Sequence, residues 1–285
     1  MIDVEMVSFT YPGAQAATLD RLSLAVASGE VYGLLGPSGA GKSTTQRILM
    51  GLQPGYSGSV RIMGQPIAEL GRGLYDRIGV CFELPALYLR LTALENLRLF
   101  AALYARKVRD PMDVLAEVDL TDAANQRVGQ FSKGMKMRLN LARAMLHDPD
   151  ILFLDEPTTG QDPTRARSTR DLIRNLKARG KTIFLTTPNM TEAAEVCDRV
   201  GFLSKGAIAV TGAPADLMRA YGRSQLQVTV SAAGGVQNLV LPMEGIGHNA
   251  AFMGHLQRDE VISLHTMEAS LDDVFIRATD RAGTP

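Results

Sequence analysis

The 285-residue sequence predicts an α/β protein with a mostly parallel sheet, an inserted helical subdomain and a small β-rich C-terminal appendage. Three observations carry that expectation. Up to about residue 220, short apolar runs alternate with helical stretches, the order in which parallel strands and covering helices follow one another. From about residue 84 to 147 the texture turns to nearly continuous helix. Beyond Tyr221–Gly222 it turns again, to the alternation of half-buried strands.

The elements follow in order. Val31–Leu35, Ile151–Leu154, Thr182–Thr186 and Val200–Leu203 are apolar runs of buried-strand length. Thr92 and Glu95 form a T-x-x-E capping box, after which Leu94, Leu97, Ala101 and Tyr104 recur on one helix face. A second helix is expected from Ser132, burying Met135, Leu139, Ala142 and Met145. Asp162–Pro163 reads as an N-cap with proline at the first helical position, opening a helix to about Arg179 that Gly180 stops. In the tail, Leu226, Val228 and Val230 alternate, and Val236–Leu241 and Val261–Leu264 are further strand candidates. The expected domains are therefore residues 1–220, with a helical subdomain at about 84–147, and residues 221–285.

Composition narrows the function. Thirty basic and thirty acidic residues cancel, so bulk charge gives no argument for nucleic acid. No apolar stretch approaches the roughly 18 residues of a membrane helix, so a membrane role is expected to come through a partner. The start, MIDVEMVSFTY, lacks the basic region of a secretory signal. Cys81 and Cys197 stand far apart, fit no metal spacing and suit a reducing cytosol. His248, His255 and His265 share the tail at spacings that suit no common metal site.

Two motifs point to chemistry. Gly36-Pro37-Ser38-Gly39-Ala40-Gly41-Lys42-Ser43-Thr44 follows one apolar run and precedes a helical stretch. Its glycines let backbone N–H groups turn toward phosphate oxygens, and a helix N-terminus adds partial positive charge. Lys42 can reach the β- and γ-phosphates, and the Ser43 hydroxyl can hold Mg²⁺. Ile151–Leu154 then ends in Asp155-Glu156-Pro157. Asp155 is expected to coordinate Mg²⁺, and Glu156 to polarise the attacking water as general base. This is the pattern of a P-loop NTPase core that takes a nucleoside triphosphate.

With Phe131-Ser132-Lys133-Gly134-Met135-Lys136 shortly before the carboxylate strand, the chain resembles the nucleotide-binding subunits of ATP-binding cassette (ABC) transporters. The segment resembles the family signature, commonly L-S-G-G-Q, matching at Ser132 and Gly134 and departing at Lys133 and Met135. The resemblance implies that Ser132 and Gly134 bind the γ-phosphate of ATP held by a second subunit. It likewise implies that Tyr11 stacks on adenine and that Asp162 lies in the loop linking two active sites. Glu83 falls where the family usually has a glutamine that touches Mg²⁺ and senses the membrane subunit. Pro188 falls where it usually has a histidine on the γ-phosphate. Asn189, the next residue, has an amide that offers a substitute donor. Ser270-Leu-Asp-Asp-Val-Phe275-Ile resembles the ending of ABC-2-type exporter ATPases, and an amphipathic helix explains its apolar residues as well.

The resemblance covers residues 1 to about 220. It implies an ATPase using ATP and Mg²⁺ that pairs with a second ABC subunit, homo- or heterodimeric, and with an integral membrane permease at the inner face of the membrane. The stretch from Leu84 to Leu97 is the expected permease surface, a place in the core being the other reading of its Leu87, Tyr88, Leu89 and Leu91. A soluble ABC ATPase acting on ribosomes or DNA would typically show two cassettes in one chain or a coiled-coil insertion, and a basic surface, none of which is visible. A regulatory sensor with degenerate hydrolysis is suggested by Glu83 and Pro188, and ATP turnover separates it from a transport ATPase.

Overall fold

The computed structural model describes residues 1–105, 107–222, 225–232, 235–258, 260–267 and 269–282. They fall into two compact units, Met1–Ala213 and Pro214–Pro285.

The first unit opens with β1 (Ile2–Phe9), β2 (Leu19–Val26) and β3 (Val31–Leu35), then α1 (Lys42–Leu49), β4 (Ser57–Ile62), β5 (Gln65–Pro66) and α2 (Ile67–Leu70). It continues through β6 (Ile78–Cys81), α3 (Ala93–Ala101), α4 (Pro111–Glu117), α5 (Lys133–Met145) and β7 (Ile151–Asp155). It closes with α6 (Pro163–Ala178), β8 (Thr182–Thr186), α7 (Met190–Val196), β9 (Arg199–Ser204) and β10 (Ala207–Gly212).

A six-stranded sheet has the order β10-β9-β3-β8-β7-β6. Its strands are parallel except β10, which runs antiparallel to β9. β3 and β8 are buried along their whole length, which is why both read as unbroken apolar runs rather than alternating ones. At the sheet centre Tyr32 stacks on Phe184, which Phe153 meets at a tilt of 50°. The four predicted strands of this sheet are present. β7 also takes in Asp155, placing that carboxylate at the strand's C-terminal end.

A second sheet was not anticipated: β2-β1-β4-β5, antiparallel, sharing its core with the first. The alternating burial of β1 and β2 is the pattern of a one-sided sheet.

The segment between β6 and β7 departs from continuous helix. Residues 84–92 are irregular, and the helix expected through Tyr104 ends at Ala101. The Thr92–Glu95 capping box forms with both bonds, at 3.1 and 2.8 Å. Tyr104 instead stacks on His147, ring centroids 4.2 Å apart. In α5, Leu139, Ala142 and Met145 are buried as expected; Met135 is half-buried and Met137 takes the core position.

The second unit holds α8 (Pro214–Tyr221), β11 (Gln225–Ala232), β12 (Gly235–Pro242), α9 (Ala250–Gln257), β13 (Val261–Thr266) and α10 (Leu271–Ala282). Its sheet, β12-β11-β13, buries Leu226, Val228 and Val230 under Phe252. α8, which the sequence reading assigns to the first domain, belongs here because it packs on α10. The S-L-D-D motif is a capping box at the start of α10. Asp273 N donates to Ser270 Oγ at 3.1 Å, and Ser270 N donates to Asp273 Oδ2 at 2.9 Å.

Candidate active site

The C-terminal ends of β3, β7 and β8 lie side by side, the edge at which open α/β sheets bind ligands. From β3 the chain turns into the glycine-rich loop. At Gly36 (φ +152°) a Cβ would stand 2.3 Å from Leu203 O. At Gly41 (φ +108°) it would stand 2.7 Å from Leu19 Cδ2. No side chain fits at either, so the loop can follow this path only with glycine there. Gly41 ends the loop and opens α1, with Thr45 N and Thr45 Oγ1 both donating to Gly41 O.

The Lys42 ammonium folds onto the loop, donating to Gly36 O at 2.7 Å and Pro37 O at 2.9 Å. Burial lowers its pKa, opposed by the carboxylates of Glu156 and Asp155. Tyr11 packs edge-on against Phe9, and its hydroxyl lies 3.2 Å from Thr44 Oγ1, tying its ring to the first turn of α1.

Across the loop stand the two acids. Thr186 Oγ1 donates to Asp155 Oδ1, a pair set up by the β7–β8 register that aligns the two residues. Burial raises the Asp155 pKa, with the Thr186 hydroxyl and Lys42 opposing and Glu156 reinforcing. Glu156 has φ +48°, a left-handed conformation that costs a non-glycine residue about 1–2 kcal/mol. It is held there by Glu156 N donating to Thr186 O at 2.9 Å and Thr159 Oγ1 donating to Glu156 Oε2 at 2.9 Å.

These groups line one cleft of about 500 Å³. Tyr11, Ser38, Gly39, Gly41, Lys42, Ser43 and Thr44 form one side, and Glu83, Asp155, Glu156 and Pro188 the other. Thr18, which sequence reasoning missed, completes it. Gly36, Pro37 and Ala40 stand behind this lining: two supply the carbonyls that hold Lys42, and Ala40 is buried.

Ser132, Gly134, Asp162 and Asn189 are not brought to the cleft lining; each sits at or beside a helix start. Ser132 Oγ accepts from Met135 N at 3.1 Å and Asp162 Oδ1 from Thr164 N and Arg165 N, both at 3.1 Å. Asn189 Oδ1 accepts from Glu192 N at 3.0 Å, so that atom of the candidate substitute donor serves as a cap. The signature turn and the Asp162 loop touch: the Cβ position at Gly134 is 3.2 Å from Gly160 O. Gln161 Nε2 donates to Pro157 O and Gln161 Oε1 accepts from Thr169 Oγ1, both at 2.8 Å.

A buried acid that sequence reasoning missed supports this edge. Glu192, 1% exposed, accepts from Thr187 Oγ1 at 2.8 Å. Burial raises its pKa against the hydroxyls of Thr187 and Thr158. The only sequence signal was the threonine pairs beside Glu156 and Pro188.

A family profile described as ABC transporter matches residues 19–159. A fluoroquinolones export ATP-binding protein of Mycobacterium tuberculosis (strain CDC 1551 / Oshkosh) is 47% identical over 282 residues, covering 99% of this chain and 94% of that protein. The chain belongs to the ATP-binding proteins of the ABC transporter family. Nod factor export ATP-binding protein I of Paraburkholderia xenovorans (strain LB400) is 36% identical over 298 residues, covering 98% of this chain and 97% of the relative. Among solved structures, the ATP-binding subunit of an ABC transporter is 25% identical with a TM-score of 0.73, covering 98% of this chain and 99% of its own. A dimeric ATP-binding cassette bound to ADP and Pi after hydrolysis is 28% identical with a TM-score of 0.68, covering 75% of this chain and 98% of its own. This ABC protein is accordingly an ATPase.

Proposed function

We propose that this chain is the energy-supplying subunit of an exporter, working as a dimer around two ATP molecules at the cytoplasmic face of a separate membrane permease. The observation that carries the reading is the split between its two sets of residues. Lys42, Ser43, Asp155 and Glu156 converge on one cleft, while Ser132 and Gly134 do not line it, so a second copy or a related subunit is needed to supply them. The two relatives described above, both named export ATP-binding proteins, support export, and the dimeric assembly of the ADP- and Pi-bound cassette supports pairing of two subunits. Among the described residues no helix is long and apolar enough to cross a membrane.

In this reading, the loop N–H groups of residues 36–44 and the Lys42 ammonium bind the β- and γ-phosphates. Tyr11 stacks on the adenine, and Glu156 accepts a proton from the attacking water. The Ser43 hydroxyl with the carboxylates of Asp155 and Glu83 is a set of hard oxygen donors in one cleft, without thiol or imidazole, which fits Mg²⁺ bound by a few protein groups and substrate phosphates. Bound there, Mg²⁺ would neutralise charge on the phosphates. Ser132 and Gly134 of one copy face the ATP of the other, and the Asp162 loop, in contact with the signature turn, links the two sites.

The permease surface is residues 84–97. Leu84 is 78% exposed and Tyr88 and Leu89 are each 54% exposed, large apolar groups at the end of the Glu83 loop. The test is ATPase activity with and without the membrane fraction, alongside Glu156→Gln. That variant should bind ATP and elute as a dimer while turning over about 10²–10⁴-fold more slowly. A monomer at saturating ATP, or unchanged turnover, would overturn the reading.

A further inference from the structure

Among the described residues β6 is the last strand of its sheet, and one edge of its backbone has no neighbouring strand. The carbonyls of Ile78, Val80 and Phe82, at alternate positions, are met in turn by side chains of α5 and its extension. His147 Nε2 lies 2.9 Å from Ile78 O, Arg143 Nη2 donates to Val80 O at 3.3 Å, and Asn140 Nδ2 donates to Phe82 O at 2.8 Å. Arg143 Nη1 also reaches past Glu83 to Ala86 O at 3.2 Å. Residues 140, 143 and 147 follow the i, i+3, i+7 spacing of one helix face. Ala144, on the same face, brings the backbones together: a Cβ on Gly79 would stand 2.1 Å from Ala144 O. Asn140 is fully buried, so its amide is committed to this contact.

The loop carrying Glu83 is thus gripped on both sides by one helix, and that helix begins at Ser132. We propose that Asn140 and Arg143 are positioning residues that lock Glu83 to the signature helix, so that the cleft acid and the helix N-terminus move as one body. The inference rests on the roles given above to Glu83 and Ser132, which place them at two different ATP molecules. The clamp then carries the state of one ATP site to the other within a single chain. Covering a strand edge would stabilise the fold without affecting Glu83, so the test must read the loop and the metal dependence separately.

Two variants of the full chain serve, Asn140→Ala and Arg143→Lys. Hydrogen exchange without nucleotide should show residues 82–86 exchanging at least about tenfold faster while β3 is unchanged. The Mg²⁺ concentration for half-maximal ATPase should rise about three- to tenfold, and that shift should vanish when Glu83→Ala is already present. Unchanged exchange at 82–86, or the same Mg²⁺ shift in both backgrounds, overturns the clamp. If Glu83→Ala alone leaves Mg²⁺ dependence unchanged, the role of Glu83 fails and the exchange data decide the clamp by themselves. Should Asn140→Ala not fold, Arg143→Lys carries every measurement.

Discussion

Pro188 lines the cleft proposed to hold the ATP phosphates, with neither a side-chain nor a backbone donor. A charge-assisted hydrogen bond to phosphate contributes about 1.5–3 kcal/mol net. Pro188→His should therefore raise ATP turnover roughly ten- to hundredfold. No gain in a steady-state assay would leave Pro188 as a loop exit only. Four residues on, Glu192 makes a pH prediction. Its folded pKa is raised by burial, so its favoured protonated form is complete below the ordinary glutamate range. The ionised form costs stability as pH rises through the folded pKa. Glu192→Gln should raise Tm relative to the parent chain more at neutral pH than at about pH 4. An equal difference at both would remove ionisation from the account.

At the scale of elements, the caps were legible and the loops were not. Asp162 accepts two backbone N–H groups at the start of α6, as its place before Pro163 implied. Asp162→Ala should lower stability by about 1 kcal/mol, read from denaturant midpoints. The Thr92–Glu95 box was equally visible, because a cap is a short-range pattern. Residues 84–92 were misjudged because a side chain of the next helix, and not their own backbone, holds them. Asn96, buried in α3, donates to Tyr88 O and Thr92 O and accepts from Tyr88 N, replacing helical bonds that periodicity would supply. The candidate site divides the same way. Its phosphate loop and acids are contiguous strings, whereas Thr186 on Asp155 and Thr187 on Glu192 arise from strand register and folding-back. No spacing rule announces such partners.

For the whole molecule, the exposed apolar group around Leu84 and the cleft proposed for ATP should separate functionally. Leu84→Ser is expected to abolish co-purification with the membrane fraction while leaving the ATPase activity of the isolated chain within about twofold, since an exposed side chain contributes little to folding. Loss of both together would return Leu84 to a role in the fold. Glu117 gives the first unit an acid-sensitive tie. Burial would raise its pKa, but hydrogen bonds from Arg179 and Arg109 hold it down, to about 2. Its contribution is present above the ordinary glutamate range and is lost as pH falls toward about 2.

The left-handed backbone at Glu156 sets stability and turnover against each other. A population of variants selected only for heat resistance should drift at this position toward glycine or asparagine, residues that accept φ +48° with less strain. Each such escape would discard the carboxylate. With Glu156 as the general base proposed above, this is the place where a thermostability screen would yield well-folded, inactive protein, and where retaining glutamate testifies to selection for turnover rather than for the fold.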